Sequence, residues 1–507
     1  MLLNVRTRRE YDEIVIGIVG AVGSGLGVVQ DKLIQAFNEA QYKAHPVHLV
    51  EMLHEIDRWE HLEEEREDIR IQEHMDAGDD FRKAIKSDDA LAILGISKIR
   101  KTRHSETKSA EEPAKRTAYI LKSLKHPEEI ESLREIYGPG FFAVAAYSPR
   151  EKRVETLANK IAKSYNSSDL EAYREHAERL VSRDQKDSAK TFGQNVRQSF
   201  PLADVFLDST SEDSLIKESR RFVRLLLGDN SYTPTRDEYA MAHAHLAALR
   251  SGALGRQVGA VIVTPEGQII SVGTNEVPKY QGGQYWEGDE NDARDIQRES
   301  DSSDILKQMN VGEFLDRLAE QSGWLSKKIK RLSSQERVKQ VLPLLKGTRI
   351  MQPMEYGRAV HAEMAAIVDA ALRGVPTAGS SLHTTTFPCH ECARHIIAAG
   401  IEKVVFIEPY PKSLAAQLHE DSVSIEATED DHVAFKPFIG IAPRQFANLF
   451  PIFGERKDSE GKRIIWEPEN ASPRIAGFPK SYTKNENDAL ELLYKRMDEE
   501  KLKAVGP

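Results

Sequence analysis

The stretch HAEMAAIVDAALRGVPTAGSSLHTTTFPCHEC, residues 361–392, decides the fold of the C-terminal half of this chain. It has His361 and Glu363 at its start and ends with Cys389 and Cys392, the only two cysteines among the 507 residues. A catalytic zinc ion takes three protein ligands and keeps a fourth position for water, whose pKa it lowers. The sequence therefore predicts zinc ligation by His361, Cys389 and Cys392, with Glu363 beside the metal to transfer protons.

The spacing of these residues predicts a helix, a turn and a strand between the histidine and the cysteines. Cys389 and Cys392 stand at the start of a helix predicted over residues 392–399. Side chains three residues apart on a helix share a face, and a helix N-terminus favours a thiolate. We therefore expect two helix N-termini to meet at one edge of a sheet.

Three other interpretations of the cysteine pair are a redox Cys-x-x-Cys, a structural zinc site with four ligands, and chance. A redox pair has no need of His-x-Glu in a preceding helix, and a structural site needs a second Cys or His pair. The combination of H-x-E with P-C-x-x-C is the signature of zinc deaminases that act on nucleobases. It favours the catalytic interpretation.

Composition limits the class of protein. A length of 507 residues suggests two to four domains, and a net charge of −10 argues against a general coat for nucleic acid. With both cysteines assigned to a metal, none is left for disulfides, so a reducing cytoplasm is the expected compartment. The apolar run at residues 14–22 is too short to span a membrane, and no membrane association is expected.

The N-terminal half begins with an apolar run at residues 14–19, a glycine-rich turn at 20–27 and a helical pattern at 28–40. Exposed amides at a helix N-terminus attract an anion, so this turn is a predicted nucleotide-phosphate cradle. Leu26 and Gly27 stand where a P-loop has Lys and then Ser or Thr, which argues against ordinary ATP hydrolysis. The predicted nucleotide-binding residues are Gly20, Gly23, Ser24, Gly25 and Gly27.

Alternating strands and helices continue to residue 228 and predict a parallel sheet covered on both faces. On the glycine turn and the order of elements, residues 11–228 resemble the P-loop nucleoside monophosphate kinase-like fold. We predict a first domain at 1–230 with a degenerate P-loop that has a structural or regulatory role. The regulator would be a nucleotide effector or, on resemblance alone, an RNA.

A second domain is predicted at 231–507, with an insertion at 281–350. A hairpin at 256–275, the helix after His361, and strands at 381–386 and 403–408 predict a mixed sheet with helices on both sides. This α/β/α order is that of the cytidine deaminase-like fold.

Residues 238–412 resemble the deoxycytidylate deaminase family in the zinc motif and in the turn that contains Asn275. The resemblance implies hydrolytic deamination of a deoxycytidine nucleotide. It also implies that Asn275 bonds the deoxyribose and that the backbone near Ala362 and Pro388 reads the pyrimidine. Arg256 and Lys279 are the cations expected to accommodate a triphosphate.

Both halves together resemble the bacterial anti-phage deoxycytidylate deaminases. The resemblance implies dCTP as well as dCMP as substrates, depletion of deoxycytidine nucleotides during infection, and a homo-oligomer, for which a hexamer is one candidate. The alternatives are a cytidine deaminase of single-stranded polynucleotides, a housekeeping dCMP deaminase that supplies dUMP, and an active kinase with an accessory deaminase. The acidic charge and an aromatic content of 7% argue against the polynucleotide enzyme.

Overall fold

A computed structural model describes residues 13–186, 195–321, 323–346, 348–351, 356–409, 413–425, 431–475 and 482–504. The chain forms two compact units. The first contains the residues up to Tyr239 together with those from Phe438 onward, and the second is Ala240–Pro437. The predicted division at residue 230 assigned everything that follows to the second domain, so the placement of the C-terminal segment differs from that prediction.

Both units are built from alternating strands and helices. The strands of the described residues are β1 (Glu13–Val19), β2 (Lys43–His48), β3 (Thr117–Leu124), β4 (Phe141–Tyr147), β5 (Val205–Asp208), β6 (Gly259–Val263), β7 (Ile269–Thr274), β8 (Ser381–Thr386), β9 (Lys403–Glu408), β10 (Val423–Ile425), β11 (Val433–Pro437) and β12 (Gly440–Ile441).

The α-helices of the described residues are α1 (Leu26–Glu39), α2 (Glu67–Ile85), α3 (Ala90–Thr107), α4 (Pro127–Tyr137), α5 (Arg150–Ser164), α6 (Glu171–Lys186), α7 (Val196–Ser199), α8 (Glu212–Leu226), α9 (Arg236–Leu249), α10 (Asp295–Arg298), α11 (Ser302–Glu320), α12 (Lys327–Lys330), α13 (Ser334–Leu345), α14 (Ala362–Leu372), α15 (His390–Ala398), α16 (Ala415–Leu418), α17 (Pro443–Leu449) and α18 (Tyr482–Glu499). Among them, none combines the length and the apolar character needed to cross a lipid bilayer.

The sheet of the first unit has the order β12-β5-β4-β1-β3-β2. Every pairing is parallel except that of β12, which runs antiparallel to β5. All residues of β1 are buried, as expected for the central strand of a parallel sheet covered on both faces. The chain reverses its direction of winding at β1, and ligands of such sheets bind beyond the carboxyl ends of the strands at that point.

The C-terminal segment completes the first unit. Besides β12, it contributes α18, whose buried residues include Leu490 and Leu493. The carboxylate of Glu486, in the same helix, is buried and ion-paired with Arg103 in α3, at 2.6 Å. A buried charge needs a partner of opposite sign, so this pair ties the end of the chain to the first unit.

The second unit contains a mixed sheet with the order β10-β11-β9-β8-β6-β7. The hairpin β6–β7 is antiparallel, β6 also pairs antiparallel with β8, and the remaining neighbours are parallel. The prediction of an α/β fold with a mixed second sheet is confirmed. The kinase-like identity of the first unit stays a prediction.

Two glycines let helices lie directly on this sheet. A Cβ on Gly273 in β7 would lie 2.0 Å from the carbonyl oxygen of Ala362, in the first turn of α14. A Cβ on Gly259 in β6 would lie 1.9 Å from the carbonyl oxygen of Ala244, in α9. Because only glycine permits these approaches, the first turn of α14 is fixed against the sheet.

Candidate functional site

The candidate site is built at the N-termini of α14 and α15. His361 is the N-cap residue of α14. Cys389 is the N-cap residue of α15, and its Sγ accepts the backbone N–H of Cys392 at 3.4 Å. The helix dipole favours negative charge at such a position, so the turn stabilises the Cys389 thiolate.

The three predicted metal ligands converge. Nδ1 of His361 lies 3.3 Å from Sγ of Cys389 and 3.3 Å from Sγ of Cys392. Zinc bonds of about 2.3 Å to sulfur and 2.0–2.1 Å to nitrogen place such atoms about 3.5 Å apart in a tetrahedron. Neither cysteine is in a disulfide, and the donor atoms lie close enough together to share one ion. This donor set fits zinc.

Mutual hydrogen bonding sets the protonation of the ligands. The hydrogen bond with Cys392 lowers the pKa of Cys389 to about 4, so Cys389 is a thiolate at neutral pH. The hydrogen bond to Cys389 raises the pKa of His361 to about 9, and the same partner raises the pKa of Cys392. A metal ion would displace the remaining protons, so its affinity for this site rises with pH.

Glu363 lies beside this cluster without being one of its ligands. It is the second residue of α14, is 4% exposed, and its Oε2 lies 3.4 Å from Sγ of Cys392. Burial raises the pKa of its carboxyl group. A buried carboxyl with a raised pKa next to a metal-binding cluster is suited to proton transfer.

Asn275, the predicted deoxyribose ligand, follows β7 directly. Its Oδ1 accepts the N–H of Val258 at 2.7 Å, and its Nδ2 donates to the carbonyl oxygen of Arg256 at 2.7 Å. Each end of the amide keeps one unused hydrogen-bonding position in this arrangement. Asn275 therefore orders the segment before β6, and its deoxyribose role stays a prediction. The guanidinium of Arg256 lies 3.5 Å from the carboxylate of Glu408.

The other three predicted substrate-binding residues have different surroundings in the structure. Nζ of Lys279 is 3.1 Å from Oδ2 of Asp289, so its charge is already paired. Ala362 is buried at the start of α14. Pro388, directly before the first cysteine, has its carbonyl oxygen bonded by the hydroxyl of Ser413 at 2.8 Å. Sequence reasoning missed Ser413, because it lies outside the motif and only the fold brings it to Pro388.

The predicted nucleotide-binding residues lie in the turn after β1 and at the start of α1. Gly23 and Gly25 have φ angles of +85° and +69°, and Gly25 is the N-cap residue of α1. A Cβ on Gly23 would lie 2.6 Å from the carbonyl oxygen of Arg153. Gly20 and Ser24 belong to the same turn, whereas Gly27 is the second residue of α1, which begins two residues before the predicted start at 28.

A lysine and an aspartate that the motif does not predict reach this turn. The N–H of Val22 donates to Oδ2 of Asp184 at 2.7 Å. Nζ of Lys125 donates to the carbonyl oxygen of Gly20 at 3.0 Å and to Oδ1 of Asp184 at 3.1 Å. The buried carboxylate of Asp184 thus uses one backbone N–H of the predicted phosphate cradle. The ammonium group of Lys125 lies beside this carboxylate, although the P-loop lysine is missing.

A cavity of about 260 Å³ adjoins the turn. Its lining includes two acidic side chains, Glu51 and Glu67. The Lys and Arg side chains in its lining are Arg70, Arg82, Lys122, Lys125 and Lys160. Burial lowers the pKa of Lys122, a cost that a bound anion would offset. Arg70, Arg82 and Lys125 are ion-paired with Glu67, Glu129 and Asp184, so Lys122 and Lys160 are the lining cations best placed for an anionic ligand.

Comparison with known proteins identifies the region around the first site. Residues 234–408, about a third of the chain, match the sequence family described as the cytidine and deoxycytidylate deaminase zinc-binding region. This match shows which part of the chain resembles that family.

Two relatives show how far the likeness extends. ComE operon protein 2 of Bacillus subtilis (strain 168) is 38% identical over 78 residues, which are 15% of this chain and 41% of that protein. A probable deoxycytidylate deaminase of Drosophila melanogaster is 28% identical over 196 residues, 38% of this chain and 70% of that protein. The chain thus spans less than half the length of the first of these relatives.

A solved structure also matches part of the chain. It is the dCMP deaminase from the cyanophage S-TIM5 in complex with dCMP and dUMP. The sequence identity is 17%, the match covers 41% of this chain and 99% of that one, and the TM-score is 0.23.

Proposed function

We propose that the second unit is a zinc-dependent deaminase that converts deoxycytidine nucleotides to deoxyuridine nucleotides. One observation carries this proposal. The donor atoms of His361, Cys389 and Cys392 converge at 3.3 Å, and the buried carboxyl of Glu363 borders them. Three ligands beside a proton-transferring carboxyl are the arrangement required for hydrolytic removal of an amino group.

The residues have separate tasks in this reaction, which consumes one water molecule and releases one ammonia. Zn²⁺, held by His361, Cys389 and Cys392, would supply Lewis-acid activation of water for attack on C4 of the cytosine. Glu363 accepts one proton of the water at its carboxylate and passes it to N3 of the pyrimidine. It then takes the second proton from the new C4 hydroxyl group and passes it to the departing amino group, which leaves as ammonia. Burial supports this role, since it holds the pKa of the carboxyl above its ordinary value.

Recognition of the substrate falls to the residues around this cluster. The unused N–H and lone pair of the Asn275 amide are assigned to the deoxyribose. The backbone at Ala362 and Pro388 is assigned to the pyrimidine. Arg256 and Lys279 are assigned to the phosphates of dCMP and dCTP, for which they would exchange their present partners, Glu408 and Asp289.

The proposed biological role is depletion of deoxycytidine nucleotides in the bacterial cytoplasm during phage infection, rather than housekeeping supply of dUMP. A first unit that binds a regulator would suit an enzyme restrained until infection. We also propose a homo-oligomer, with a hexamer as the candidate state. Large exposed apolar side chains in the insertion, including Trp286, Trp324 and Leu344, support an interface there.

Turnover of free nucleotides tests the proposed activity. Purified protein is expected to release ammonia and deoxyuridine products from dCMP, dCTP or both, and dialysis against a zinc chelator should abolish this activity until zinc is restored. A deoxycytidine-containing single-stranded oligonucleotide is the comparison substrate, and it should react far more slowly. If zinc-loaded protein yields no product from either nucleotide, the proposal fails, and preferential reaction of the oligonucleotide would establish the polynucleotide enzyme instead.

For the first unit, we propose that the cavity beside the glycine turn binds a nucleotide effector through its phosphates. The excess of Lys and Arg in its lining supports this, and Lys125 would take the place of the missing P-loop lysine. The effector's phosphate would compete with the carboxylate of Asp184 for the N–H of Val22. The absence of the motif lysine and hydroxyl favours binding over hydrolysis.

Removal of one cavity lysine tests this second proposal. Lys122→Met should weaken binding of ATP or tripolyphosphate by about tenfold or more, because a charge-assisted hydrogen bond contributes about 1.5–3 kcal/mol. Titration calorimetry on the full chain measures the effect, and exposed Lys163→Met in α5 is the matched control. Equal affinity in wild type, variant and control would contradict the proposal.

A further inference from the structure

Three side chains with metal-binding groups converge in the first unit. His54 lies in the short 3-10 helix Val50–Glu55, Glu64 lies in the loop that follows, and His74 lies in α2. No motif links them, because they are ten residues apart and two of the three lie outside an α-helix. The deaminase reaction and the glycine turn itself do not use them, although His74 also lines the cavity beside that turn.

Their spacing is that of ligands around a common ion. Nε2 of His54 is 3.3 Å from Nε2 of His74 and 2.8 Å from Oε1 of Glu64. The third side of the triangle, from Nε2 of His74 to Oε1 of Glu64, is 3.3 Å. Two nitrogens bonded to one tetrahedral zinc ion at about 2.0–2.1 Å are about 3.3–3.4 Å apart.

The hydrogen bond at Nδ1 of each imidazole ring determines whether its Nε2 can bind a metal ion. Nδ1 of His54 lies 3.0 Å from the carbonyl oxygen of Glu60, and Nδ1 of His74 lies 2.7 Å from that of Arg70. A carbonyl only accepts, so each Nδ1 carries the proton, and in the neutral ring the Nε2 lone pair points into the cluster. This outer hydrogen bond to a backbone carbonyl is the usual support of a metal-binding histidine.

Two lone pairs and a carboxylate at these distances repel one another unless a positive charge lies among them. Either a proton on one ring or a metal ion supplies it. The loop that presents Glu64 is already ordered, because the carboxylate of Glu63 accepts the N–H groups of Glu65 and Arg66 and the N–H of Glu63 donates to Glu73. An ordered loop loses less entropy when an ion binds.

We propose that His54, Glu64 and His74 form a second metal site, for a divalent ion such as Zn²⁺. Two imidazoles and one carboxylate suit zinc and its neighbours in the first transition row, whereas Mg²⁺ prefers oxygen ligands. The side chain of Glu64 is 56% exposed and that of His74 is 7% exposed, so the ion would be reached from solvent on the carboxylate side. Three protein ligands leave a position for a further ligand.

Metal stoichiometry of the full chain tests the proposal. Wild-type protein equilibrated with Zn²⁺ is expected to hold two ions per chain by mass spectrometry of the metal. Cys389→Ser/Cys392→Ser should keep one ion, and adding His54→Ala to it should leave none. Titration with Mg²⁺ in place of Zn²⁺ should show no Mg²⁺ bound by His54, Glu64 and His74. A cysteine double variant without any metal would overturn the proposal, as would one whose metal content is unaffected by His54→Ala.

Two further variants separate loss of a ligand from loss of structure. His61→Ala, an exposed histidine of the same loop, is the matched control and should retain both ions. Glu64→Gln keeps the size of an exposed side chain, and it should weaken the second zinc equivalent by about tenfold or more if the carboxylate is a ligand. Unchanged affinity for the second zinc equivalent in Glu64→Gln, with an unchanged circular dichroism spectrum, would show that Glu64 is not a ligand and would overturn the three-ligand site.

Discussion

Glu363→Gln is expected to lower kcat for deamination of dCMP and dCTP by about 10²–10⁴-fold, the usual contribution of a positioned acid–base group. The amide keeps the shape of the side chain but cannot accept and return a proton. The metal content should stay at the wild-type value, because the carboxyl borders the His361, Cys389 and Cys392 cluster without being one of its ligands.

Two measurements make this prediction specific. Steady-state kinetics and zinc analysis are carried out on the same preparations, with Glu402→Gln, an exposed glutamate of the second unit, as the matched control. The control should retain wild-type kcat and zinc. Loss of the metal in Glu363→Gln would show that Glu363 is a ligand or holds one in place, and an unchanged kcat would remove its proton-transfer role.

Arg103→Met is expected to destabilise the first unit by about 3–5 kcal/mol, the usual penalty for breaking a buried ion pair. The guanidinium of Arg103 is fully buried between two carboxylates, those of Glu13 and Glu486, at 2.8 Å and 2.6 Å. The phenol groups of Tyr482 and Tyr137 donate to the same carboxylates at 2.7 Å and 2.8 Å. Without the cation, two buried negative charges would face each other.

Calorimetric unfolding of the full chain measures this effect, with Lys98→Met on the exposed face of α3 as the control. Adding Glu13→Gln and Glu486→Gln to Arg103→Met should recover part of the loss, since the unpaired charges are then removed as well. An Arg103→Met protein that unfolds at the wild-type temperature would show that the ion pair is not what holds α18 to the first unit.

The elements that frame the first site could be predicted because their signals are local. The strands β8 and β9 have the predicted bounds. β9 contains a short apolar run, and β8 is rich in threonine, a β-branched residue that favours strands. The helix expected from residue 392 begins earlier, at His390, because the sulfur of Cys389 accepts the N–H of Cys392 and so caps the helix. The metal-ligand and substrate roles of the residues nearby stay predictions.

The C-terminal segment shows the limit of prediction from local sequence patterns. The apolar residues at 435–453 by themselves predict a cap on the second sheet, and the charged tail after residue 485 predicts a surface helix. Instead Phe435 lies in β11, a strand of the second sheet, whereas β12 pairs with β5 of the first. In α18 the carboxylate of Glu486 is buried against Arg103, which is 383 residues away. No pattern within a helix predicts a partner at that distance.

The sequence by itself determined the pieces that depend on neighbours in the chain: the His-x-Glu and Cys-x-x-Cys motifs, the glycine turn without its lysine, and the alternation of strands and helices. Tertiary structure alone decided which distant side chains meet. It placed Lys125 and Asp184 at the glycine turn, brought together His54, Glu64 and His74, and joined the C-terminal helix to the first unit. The physical reason is that pairing of buried charges and convergence of polar groups depend on distances in space, whereas periodicity and capping depend on distances along the chain.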